Sequence, residues 1–471
     1  MLLNSENKNS FDIRCTLKSK AIGRSRSMGY ISIIADDLTG ASDTGIQFRK
    51  YGLKTKVVVN YDTLDEFLDS DEILAINSNT RPLNNEKAYR RVFDICNMLK
   101  NAGFSRIYKK VDSTFRGNPG AELEAVMDAL SSNLAILVPS YPDNGRYMVN
   151  GYLKVTSVPV CNDNNVENAC PSNKTEQELC HVPTIIQKQV GRKVANIDLK
   201  TVRQGSFAIL GAVEDLRENG YQIIAIDAVT KDDFNNIALA CKSLPEETVM
   251  AGAAGFAAYL PKVIGLSSNK LAKLPSKEGI ILVVAGTCNP TTRRQIEEVL
   301  QNINADFAKI NTEKIIKGMA AEEVQDIVQK IQINIETQKT AAKPFIIAVD
   351  TLFKPINEKD SSINEKGKII ASAIGEIVVK LVDEKVVQSL VITGGDTALH
   401  VLSALKAKGI ELEDEILAGI PLGRLIGGKA HDIPIVTKAG GFGTPTALLE
   451  VIKHLQNNIE VEKTLSFLEE A

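Results

Sequence analysis

The sequence predicts an α/β fold of two domains, each a largely parallel sheet flanked by helices, with a cleft between them. Short β-rich segments alternate with longer helix-like segments, which is the pattern of parallel sheets covered by helices. The length of 471 residues exceeds the ~100–200 residues usual for one domain. Residues 264–278 have the small, polar composition of a linker. We therefore expect domains at 29–263 and 279–471, with a small-molecule site between them.

Composition and charge narrow the range of partners. Lysine and arginine number 55, aspartate and glutamate 58, and the formal net charge is −3. A protein that binds nucleic acid through phosphates is usually basic, so no nucleic-acid partner is expected. The longest uninterrupted apolar run, Ile280–Ala285, is far shorter than the ~20 residues that span a bilayer, so no membrane partner is expected either.

Residues 1–28 form a polar tail with six basic and two acidic residues. The tail has no apolar h-region of a secretory signal, which leaves two interpretations: a disordered extension, which we favour, and a basic transit-like presequence. Met28 stands directly before the first predicted strand, so ordered structure is expected to begin there.

The seven cysteines do not have the pattern of a disulfide scaffold. Cys161, Cys170 and Cys180 precede His181 in one polar stretch. Their spacings match none of the short-loop zinc pairs, so we interpret them as loop thiols, and no metal ligands are identified. Free thiols suit a reducing compartment, and a cytoplasmic location is expected.

The first half of the chain contains the predicted elements of one sheet. Seven segments have the apolar, β-rich character of buried strands: Tyr30–Ala35, Lys56–Asn60, Ile73–Asn77, Arg106–Val111, Ala135–Pro139, Gln222–Asp227 and Met250–Gly255. Helices are predicted over Asn85–Ala102 and Gly120–Ser131. The alternation lapses over residues 156–183, where asparagine, aspartate and cysteine crowd together.

The second half shows the same alternation. Four segments predict buried strands with helices between them: Ile280–Ala285, Phe345–Val349, Leu390–Thr393 and Pro434–Lys438. In open α/β sheets ligands bind where the strands end, so the loops after these strands are the candidate sites.

Two adjacent carboxylates, Asp36 and Asp37, follow the first strand directly. Adjacent side chains point in different directions, so one carboxylate can cap the following helix while the other faces the cleft. Capping alone explains only one of the two, and this favours a ligand role for the other.

Later loops of the first half carry further charged groups. Arg81 follows the third strand, and its guanidinium can bind a carboxylate or a phosphate through two hydrogen bonds. Lys109–Asn118 places three cations, the carboxylate of Asp112 and two hydroxyls at a strand end. This mixture suits an anionic polyol. Tyr141–Arg146 forms another turn-rich loop, in which Arg146 is a further candidate for binding an anion.

Glycine-rich loops follow three strands of the second half, at Ala285–Pro290, Thr393–Ala398 and Lys438–Gly443. Glycine lets backbone N–H groups close on phosphate oxygens, and a following helix N-terminus adds a favourable dipole. Three such loops on one parallel sheet indicate a nucleotide site. The sequence has no Walker A, Gly-x-Gly-x-x-Gly, HExxH or Gly-x-Ser-x-Gly motif, which disfavours dinucleotide and hydrolase sites.

These motifs together resemble the four-carbon acid sugar kinase family, which includes D-threonate, D-erythronate and 3-oxo-tetronate kinases. The resemblance extends from about Tyr30 to His454 and is carried by five motifs in matching order: Asp36–Gly40, Lys110–Gly117, Gly286–Thr287, Gly394–Thr397 and Lys438–Gly443. Thr287 stands where the family usually has serine, which keeps the hydroxyl. Ala253 stands where the family often has serine, which removes one.

The resemblance implies that the N-terminal domain holds the sugar acid, the C-terminal domain holds ATP, and the active site lies in the cleft. Substrate binding would fall to Asp37, Arg81, Lys110, Val111, Asp112 and Ser113. ATP binding would fall to Thr287, Gly394, Gly395, Asp396, Thr397, Gly440 and Gly441.

The implied reaction transfers the γ-phosphoryl group of ATP to the terminal hydroxyl of a four-carbon sugar acid, with Mg²⁺ bridging the phosphates. Arg81 and Lys110 would hold the carboxylate of the acid. Asp37 and Asp112 are the candidates to accept the hydroxyl proton, and we favour Asp37 because its loop opens the domain.

Two other functions remain open at the level of the sequence. A non-catalytic two-domain protein that binds or senses a sugar acid would explain the anion-binding loops but would leave the glycine loops unused. A nicotinamide-dependent oxidoreductase is suggested only by the αβ alternation. The sequence does not specify the acid, its stereoisomer or the oligomeric state, for which a homodimer is the commonest symmetric arrangement.

Overall fold

A computed structural model describes residues 30–69, 72–155, 181–263, 279–337, 343–353 and 363–456. The predicted tail, the predicted linker, Cys161, Cys170 and Cys180 all lie outside the described residues. His181 is described, and its Nδ1 lies 2.7 Å from Thr184 Oγ1.

The strands of the first half are β1 (Tyr30–Ala35), β2 (Thr55–Val58), β3 (Ile73–Asn77), β4 (Phe104–Lys110), β5 (Ala135–Val138), β6 (Arg146–Val149), β7 (Tyr152–Val155), β8 (Val194–Ile197), β9 (Ile223–Ile226) and β10 (Val249–Gly252). Those of the second half are β11 (Ile280–Ala285), β12 (Asp306–Ile310), β13 (Pro344–Val349), β14 (Val387–Thr393), β15 (Gly409–Leu417), β16 (Ile420–Ile426) and β17 (Pro434–Lys438).

The helices of the first half are α1 (Leu38–Arg49), α2 (Asn85–Asn101), α3 (Pro119–Leu130), α4 (Val182–Gln187), α5 (Leu199–Arg203), α6 (Ser206–Glu218), α7 (Lys231–Cys241), α8 (Ala254–Ala257) and α9 (Leu260–Val263). Those of the second half are α10 (Pro290–Asn302), α11 (Thr312–Ile316), α12 (Ala320–Thr337), α13 (Ile363–Asp383), α14 (Gly395–Ala404) and α15 (447–456). None of the described helices is both long and apolar enough to span a membrane.

The predicted α/β class, with largely parallel sheets flanked by helices, is confirmed. Every predicted strand is present, and no bound is displaced by more than three residues. The hairpin of β15 and β16 was not predicted, because the acidic residues of Gly409–Leu417 interrupt the apolar pattern of a buried strand.

The two halves share one sheet of 15 strands, whereas the sequence analysis predicted a separate sheet for each domain. The strand order is β12-β13-β11-β14-β17-β16-β15-β2-β3-β1-β4-β10-β5-β9-β8. The joint is an antiparallel pairing of β15 with β2, in which Ile410 lies opposite Val57. An exposed strand edge offers unpaired N–H and C=O groups, and here each half satisfies the edge of the other.

Helix α1 is packed where the two halves meet. Its residues Leu38 to Phe48 are all buried, because the helix lies against β2 and β3 of the first half and β15 of the second. A Cβ atom at Gly45 would lie 2.8 Å from Leu412 Cδ1, so glycine permits this close approach. This packing fixes the N-terminus of α1 beside the strand-end loops of both halves.

Candidate active site

Three carboxylates and one arginine meet at the carboxyl ends of β3, β1 and β4, which are neighbours in the sheet. Arg81 Nε donates to Asp36 Oδ2 at 2.6 Å, Nη1 to Asp37 Oδ2 at 2.8 Å and Nη2 to Asp112 Oδ1 at 3.1 Å. The sequence analysis expected Arg81 to hold a substrate carboxylate. In the structure these three bonds use three of its five N–H donors, so Arg81 also joins the three loops.

Asp37 both caps α1 and faces the cleft. Its Oδ1 accepts from Gly40 N at 2.8 Å, and its Oδ2 accepts from Thr39 Oγ1 at 2.8 Å. The expected division of tasks between the adjacent carboxylates was therefore wrong, because Asp36 is buried against Arg81 and one residue does both. Burial alone would raise the pKa of Asp37, but the charges of Arg81 and Lys110 hold it below its usual value.

Asp112 accepts more hydrogen bonds than Asp37. Its Oδ2 accepts from Arg116 Nε at 2.8 Å and also from Thr114, while its Oδ1 accepts from Arg116 Nη2 at 3.0 Å as well as from Arg81. Against the effect of burial, Arg116 and Arg81 hold the pKa of Asp112 well below its usual value. A carboxylate bonded in this way has little capacity left to accept a proton.

Lys110 and Asp43 form a buried pair beside these groups. The distance between Lys110 Nζ and Asp43 Oδ1 is 4.0 Å, and both side chains are less than a tenth exposed. Burial would lower the pKa of Lys110, but Asp43 and the other aspartates raise it above its usual value, which keeps the ammonium charged. Burial, which outweighs the attraction of Lys110, raises the pKa of Asp43 to about 7. The sequence analysis did not single out Asp43, because it lies inside a helix.

A second buried ion pair lies beside the same strand ends. Lys109 Nζ lies 2.8 Å from Glu122 Oε2, and the two side chains are 0% and 1% exposed. The same ammonium donates to the carbonyl oxygens of Ile34, at 3.1 Å, and Lys110. This pair joins β1, β4 and α3, and it was also missed.

Val111 and Ser113 complete the predicted substrate set. Val111 is 2% exposed and packs in a hydrophobic cluster, while its N–H donates to Gly252 O at 2.9 Å. A role in binding would therefore fall to its main chain. Ser113 is 5% exposed and lies in the loop between Asp112 and Phe115.

The three glycine loops of the second half meet at the carboxyl ends of β11, β14 and β17, which are also neighbours in the sheet. A Cβ atom at Gly286 would lie 2.3 Å from Thr397 Oγ1, and one at Gly440 would lie 2.8 Å from Thr287 Oγ1. The predicted nucleotide residues are thus brought together. The glycines are needed because the loops approach one another too closely for a side chain.

The carbonyl groups of the third loop, Lys438–Gly443, are turned into the protein. Thr292 Oγ1 donates to Gly440 O at 2.8 Å, and Gln295 Nε2 donates to Phe442 O at 2.9 Å. Lys438 Nζ donates to Ala439 O at 3.0 Å and to Phe442 O at 3.2 Å. Within the described residues, the N–H groups of Gly440 and Gly441 donate to no other group. The loop therefore offers donors to an anion.

The two sets of loops face each other across the cleft. A Cβ atom at Gly395 would lie 2.8 Å from Asp37 Oδ2 and 3.3 Å from Thr39 Oγ1. Gly395 begins α14, whose N-terminus has no side-chain cap, and Asp396 is exposed beside it. An anion at this helix end would lie next to the Asp37 carboxylate.

An apolar contact also crosses the cleft. The rings of Tyr141 and Phe442 meet edge to face with centroids 6.0 Å apart, and Ala253 and Ala254 are buried in the same cluster. Tyr108 Oη donates to Ala253 O at 2.8 Å. Ala253, the position at which the family often has serine, therefore contributes packing and a main-chain acceptor.

A cavity of about 260 Å³ lies between the C-terminal end of α1, Tyr141 and Glu415. None of the predicted site residues lines it. We place the candidate site in the cleft instead, because the charged side chains and the glycine loops converge there. Among the described residues, no group of three or more histidine, cysteine, aspartate or glutamate side chains has the geometry of a metal site.

Comparison with known proteins agrees with this arrangement of two halves. A family model described as a sugar-binding N-terminal domain matches residues 31–260, and one described as a nucleotide-binding C-terminal domain matches residues 282–448. The D-threonate kinase of Salmonella typhimurium is 30% identical over 429 residues, which are 90% of this chain and 98% of that protein. The chain belongs to the four-carbon acid sugar kinase family.

Other relatives of this kinase act on different acids. The D-erythronate kinase of Heliobacterium modesticaldum is 30% identical over 92% of this chain and 99% of that protein. The 3-oxo-tetronate kinase of Pseudomonas savastanoi is 25% identical over 90% of this chain and 97% of that protein. Because the relatives are named as kinases, the protein is an enzyme, and the sensor and oxidoreductase alternatives have no support.

Solved structures share the fold of the kinase. A crystal structure from Salmonella typhimurium aligns with a TM-score of 0.70 and 20% identity, covering 90% of this chain and 98% of that chain. One from Haemophilus influenzae aligns with a TM-score of 0.64 and 22% identity, covering 90% and 99%.

Proposed function

We propose that this kinase transfers the γ-phosphoryl group of ATP to the terminal, 4-hydroxyl group of a four-carbon sugar acid. D-threonate and D-erythronate are the first candidates, because the relatives named for them are 30% identical, against 25% for a 3-oxo-tetronate kinase. The observation that carries the proposal is the closeness of Asp37 to the N-terminus of α14. A proton acceptor and an anion-binding helix end are thereby held side by side.

On the sugar-acid side, Arg81 and Lys110 supply the positive charge. Arg81 retains donors beyond its three aspartate bonds, and Lys110 is kept charged by the surrounding carboxylates. Asp112, Ser113 and the main chain of Val111 would bind hydroxyl groups of the acid. Cations at one end and acceptors along the chain would orient the far hydroxyl towards ATP.

Asp37 is the better candidate for the proton acceptor. It accepts one hydrogen bond each from Thr39, Gly40 and Arg81 and lies beside α14. The oxygens of Asp112 accept more bonds, among them two from the Arg116 side chain and two from Thr114. In the transfer, the hydroxyl oxygen forms a bond to the γ-phosphorus, the bond from that phosphorus to ADP breaks, and the proton passes to Asp37. A low pKa is compatible with this task, because phosphoryl transfer depends mainly on alignment and charge neutralisation.

On the nucleotide side, Thr287, the Gly394–Thr397 loop, Gly440 and Gly441 would bind the phosphates of ATP. These glycine loops approach one another too closely for side chains, and main-chain N–H groups are suited to binding phosphate oxygens. Mg²⁺ fits this site without a protein cage, because it is held largely by phosphates and water, with Asp396 as a carboxylate at the loop. Bound Mg²⁺ would neutralise charge between the phosphates. A cytoplasmic location and a homodimer remain part of the proposal.

The test is ADP release from ATP and Mg²⁺ with D-threonate, D-erythronate, L-threonate and 3-oxo-tetronates. We expect strong turnover with one acid and a product phosphorylated at the terminal carbon, which phosphorus NMR identifies. Phosphate on another carbon would contradict the assigned hydroxyl. Absence of turnover across the panel would contradict the proposed substrate class.

A further inference from the structure

Arg146 is a buried arginine that the proposed mechanism does not use. It begins β6, directly after the turn Pro142–Asn144 and Gly145, and the residue is 9% exposed. Its Nη1 donates to Asn144 O, and its Nε has no partner. Within the described part of the chain, no carboxylate oxygen lies within 4.0 Å of its guanidinium.

The guanidinium of Arg146 reaches from the first half of the molecule to the third glycine loop of the second. Its Cζ lies 5.1 Å from the centroid of the Phe442 ring. A Cβ atom at Gly441 would lie 3.9 Å from Arg146 Nη2 and 3.2 Å from Asn289 Nδ2. The side chain therefore lies beside this loop, in which the N–H groups of Gly440 and Gly441 donate to no group of the described residues.

Two residues that precede Arg146 anchor its turn to the second half. Tyr141 packs edge to face on Phe442, and Asn144 Nδ2 donates to Ala418 O at 3.4 Å. These contacts hold the turn against the second half, and the buried guanidinium lies beside Gly441.

A buried guanidinium without a carboxylate is energetically unfavourable. Desolvation of an uncompensated charge is costly, and the cation–π contact with Phe442 offsets part of that cost. Burial lowers the pKa of Arg146, but arginine stays protonated in proteins. The nearby charges of Asp112 and Arg116 act in opposite directions. An anion from outside the chain would relieve this cost.

We propose that Arg146 binds the phosphoryl group during its transfer and thereby acts as a catalytic residue contributed by the sugar-binding half to the nucleotide-binding half. This inference rests on the proposed function. As the hydroxyl oxygen bonds to phosphorus, the bond to ADP breaks and the proton moves to Asp37, negative charge spreads over the three other oxygens of the phosphoryl group. Arg146 neutralises that charge.

The first test is the variant Arg146→Met assayed beside Arg146→Lys. Methionine keeps the length and apolar contact with Phe442 but removes the charge, and we expect kcat to fall by ~100-fold or more. Lysine restores the charge without the two-pronged geometry, and we expect it to recover part of the rate. Arg90→Met is the control, since Arg90 is 73% exposed on α2 and its ion-pair partner among the described residues is Glu86. Unchanged kcat in Arg146→Met would overturn the proposal.

Thermal unfolding without ligands separates catalysis from structural support. If the charge of Arg146 is uncompensated until an anion binds, Arg146→Met removes that charge. The Tm of the variant without ligands is then expected to equal or exceed that of the wild type. A large fall in Tm together with a proportionate loss of binding for both substrates would assign Arg146 a structural role and overturn the proposal.

Binding of inorganic tripolyphosphate, measured by calorimetry, distinguishes failure of this inference from failure of the proposed function. If the wild type turns over no four-carbon acid, the proposed function fails. A tenfold or greater loss of tripolyphosphate affinity in Arg146→Met would still support a phosphate contact. Equal affinities in the wild type and the variant would overturn that contact whether or not the enzyme is active.

Discussion

Asp37 is partly buried and Asp112 is buried; both lie at the ends of neighbouring strands, and both bind Arg81. Their surroundings nevertheless suit them to different tasks. Asp112 is held by the side chains of Arg116 and Thr114 as well, whereas Asp37 faces the N-terminus of α14. Asp37, which accepts fewer hydrogen bonds, is the one that can accept a proton.

Replacing Asp37 with asparagine is expected to lower kcat by at least ~100-fold, because the amide cannot accept the hydroxyl proton. Asparagine keeps the helix cap, so folding should be preserved. Steady-state kinetics of Asp37→Asn and Asp112→Asn under saturating ATP measure the difference. A smaller loss of kcat in Asp37→Asn than in Asp112→Asn would exchange the roles of the two residues.

Asp43 should make the stability of the protein depend on pH. Its pKa is about 7 in the folded protein and 3.8 ordinarily, so between these values the folded state binds more protons than the unfolded state. The contribution of protonated Asp43 to the free energy of unfolding is fully present below about pH 4 and is lost as the pH rises through about 7. Asparagine does not ionise, so Asp43→Asn should not show this loss. Its stability relative to wild type should therefore rise by a few kcal/mol between pH 5 and pH 8.

Urea unfolding of wild type and Asp43→Asn at pH 5 and pH 8 measures this effect. Only the difference between the two proteins isolates Asp43, because burial also raises the pKa of Glu413 to about 7. An equal difference in stability at both pH values would show that Asp43 is ionised throughout.

At the scale of the element, the shape of the loop Lys438–Gly443, a candidate anion site, depends on side chains of the neighbouring helix α10. Side chains of α10 and Lys438 donate to the carbonyl oxygens of Ala439, Gly440 and Phe442, while the N–H groups of Gly440 and Gly441 donate to no group of the described residues. Burial also lowers the pKa of Lys438 to about 7, so this lysine can serve as a neutral donor to the two carbonyls. Glycine allows the backbone to adopt this conformation, and the hydrogen bonds from these donors stabilise it.

Gln295→Met should raise the KM for ATP by about tenfold while leaving the KM for the sugar acid near its original value. Methionine fills the same space but removes the Gln295 donor from the carbonyls of Phe442 and Thr444. Among the described residues, Phe442 O then keeps only the longer bond from Lys438 Nζ, so the loop can reorient. Gln388→Met is the control, because Gln388 is also buried but lies near the opposite end of β14. Equal changes in the two KM values would indicate general destabilisation rather than an effect on the loop.

At the scale of the whole molecule, the shared sheet makes the two halves one structural unit. One hydrophobic cluster contains Ile33 and Val57 from the first half with Val283 and Leu412 from the second. A cleft between halves that are joined in this way has a well-defined width, which suits a reaction that requires two substrates to be aligned.

Gly409→Ala should weaken this joint. A Cβ atom there would lie 2.8 Å from Val57 O and 3.0 Å from Phe67 Cζ, so the β15–β2 pairing must shift. We expect calorimetry to show a fall in Tm of several degrees or two separate transitions. Gly211→Ala is the control: its Cβ would meet nothing within 4 Å inside α6, and alanine there should stabilise by about 0.5–1 kcal/mol. A Tm for Gly409→Ala equal to that of wild type would mean that the joint contributes little.

The sequence by itself determined the class of fold, the strands and the loops at their ends. Buried strands such as Ile280–Ala285 are continuous apolar runs, and the loops are marked by glycine and charge, so local pattern identifies both. The family was likewise readable from motifs that are short and local.

Only the tertiary structure decided which of these groups meet. The β15–β2 joint, the Lys109–Glu122 pair and the contact of Arg146 with Phe442 join residues that are distant in the chain. Asp37 likewise takes both of the tasks expected of the adjacent carboxylates, because Arg81, which follows another strand, binds Asp36 in the interior. Hydrogen bonds and burial depend on position in three dimensions, and local pattern carries no information about the partner that a side chain will find.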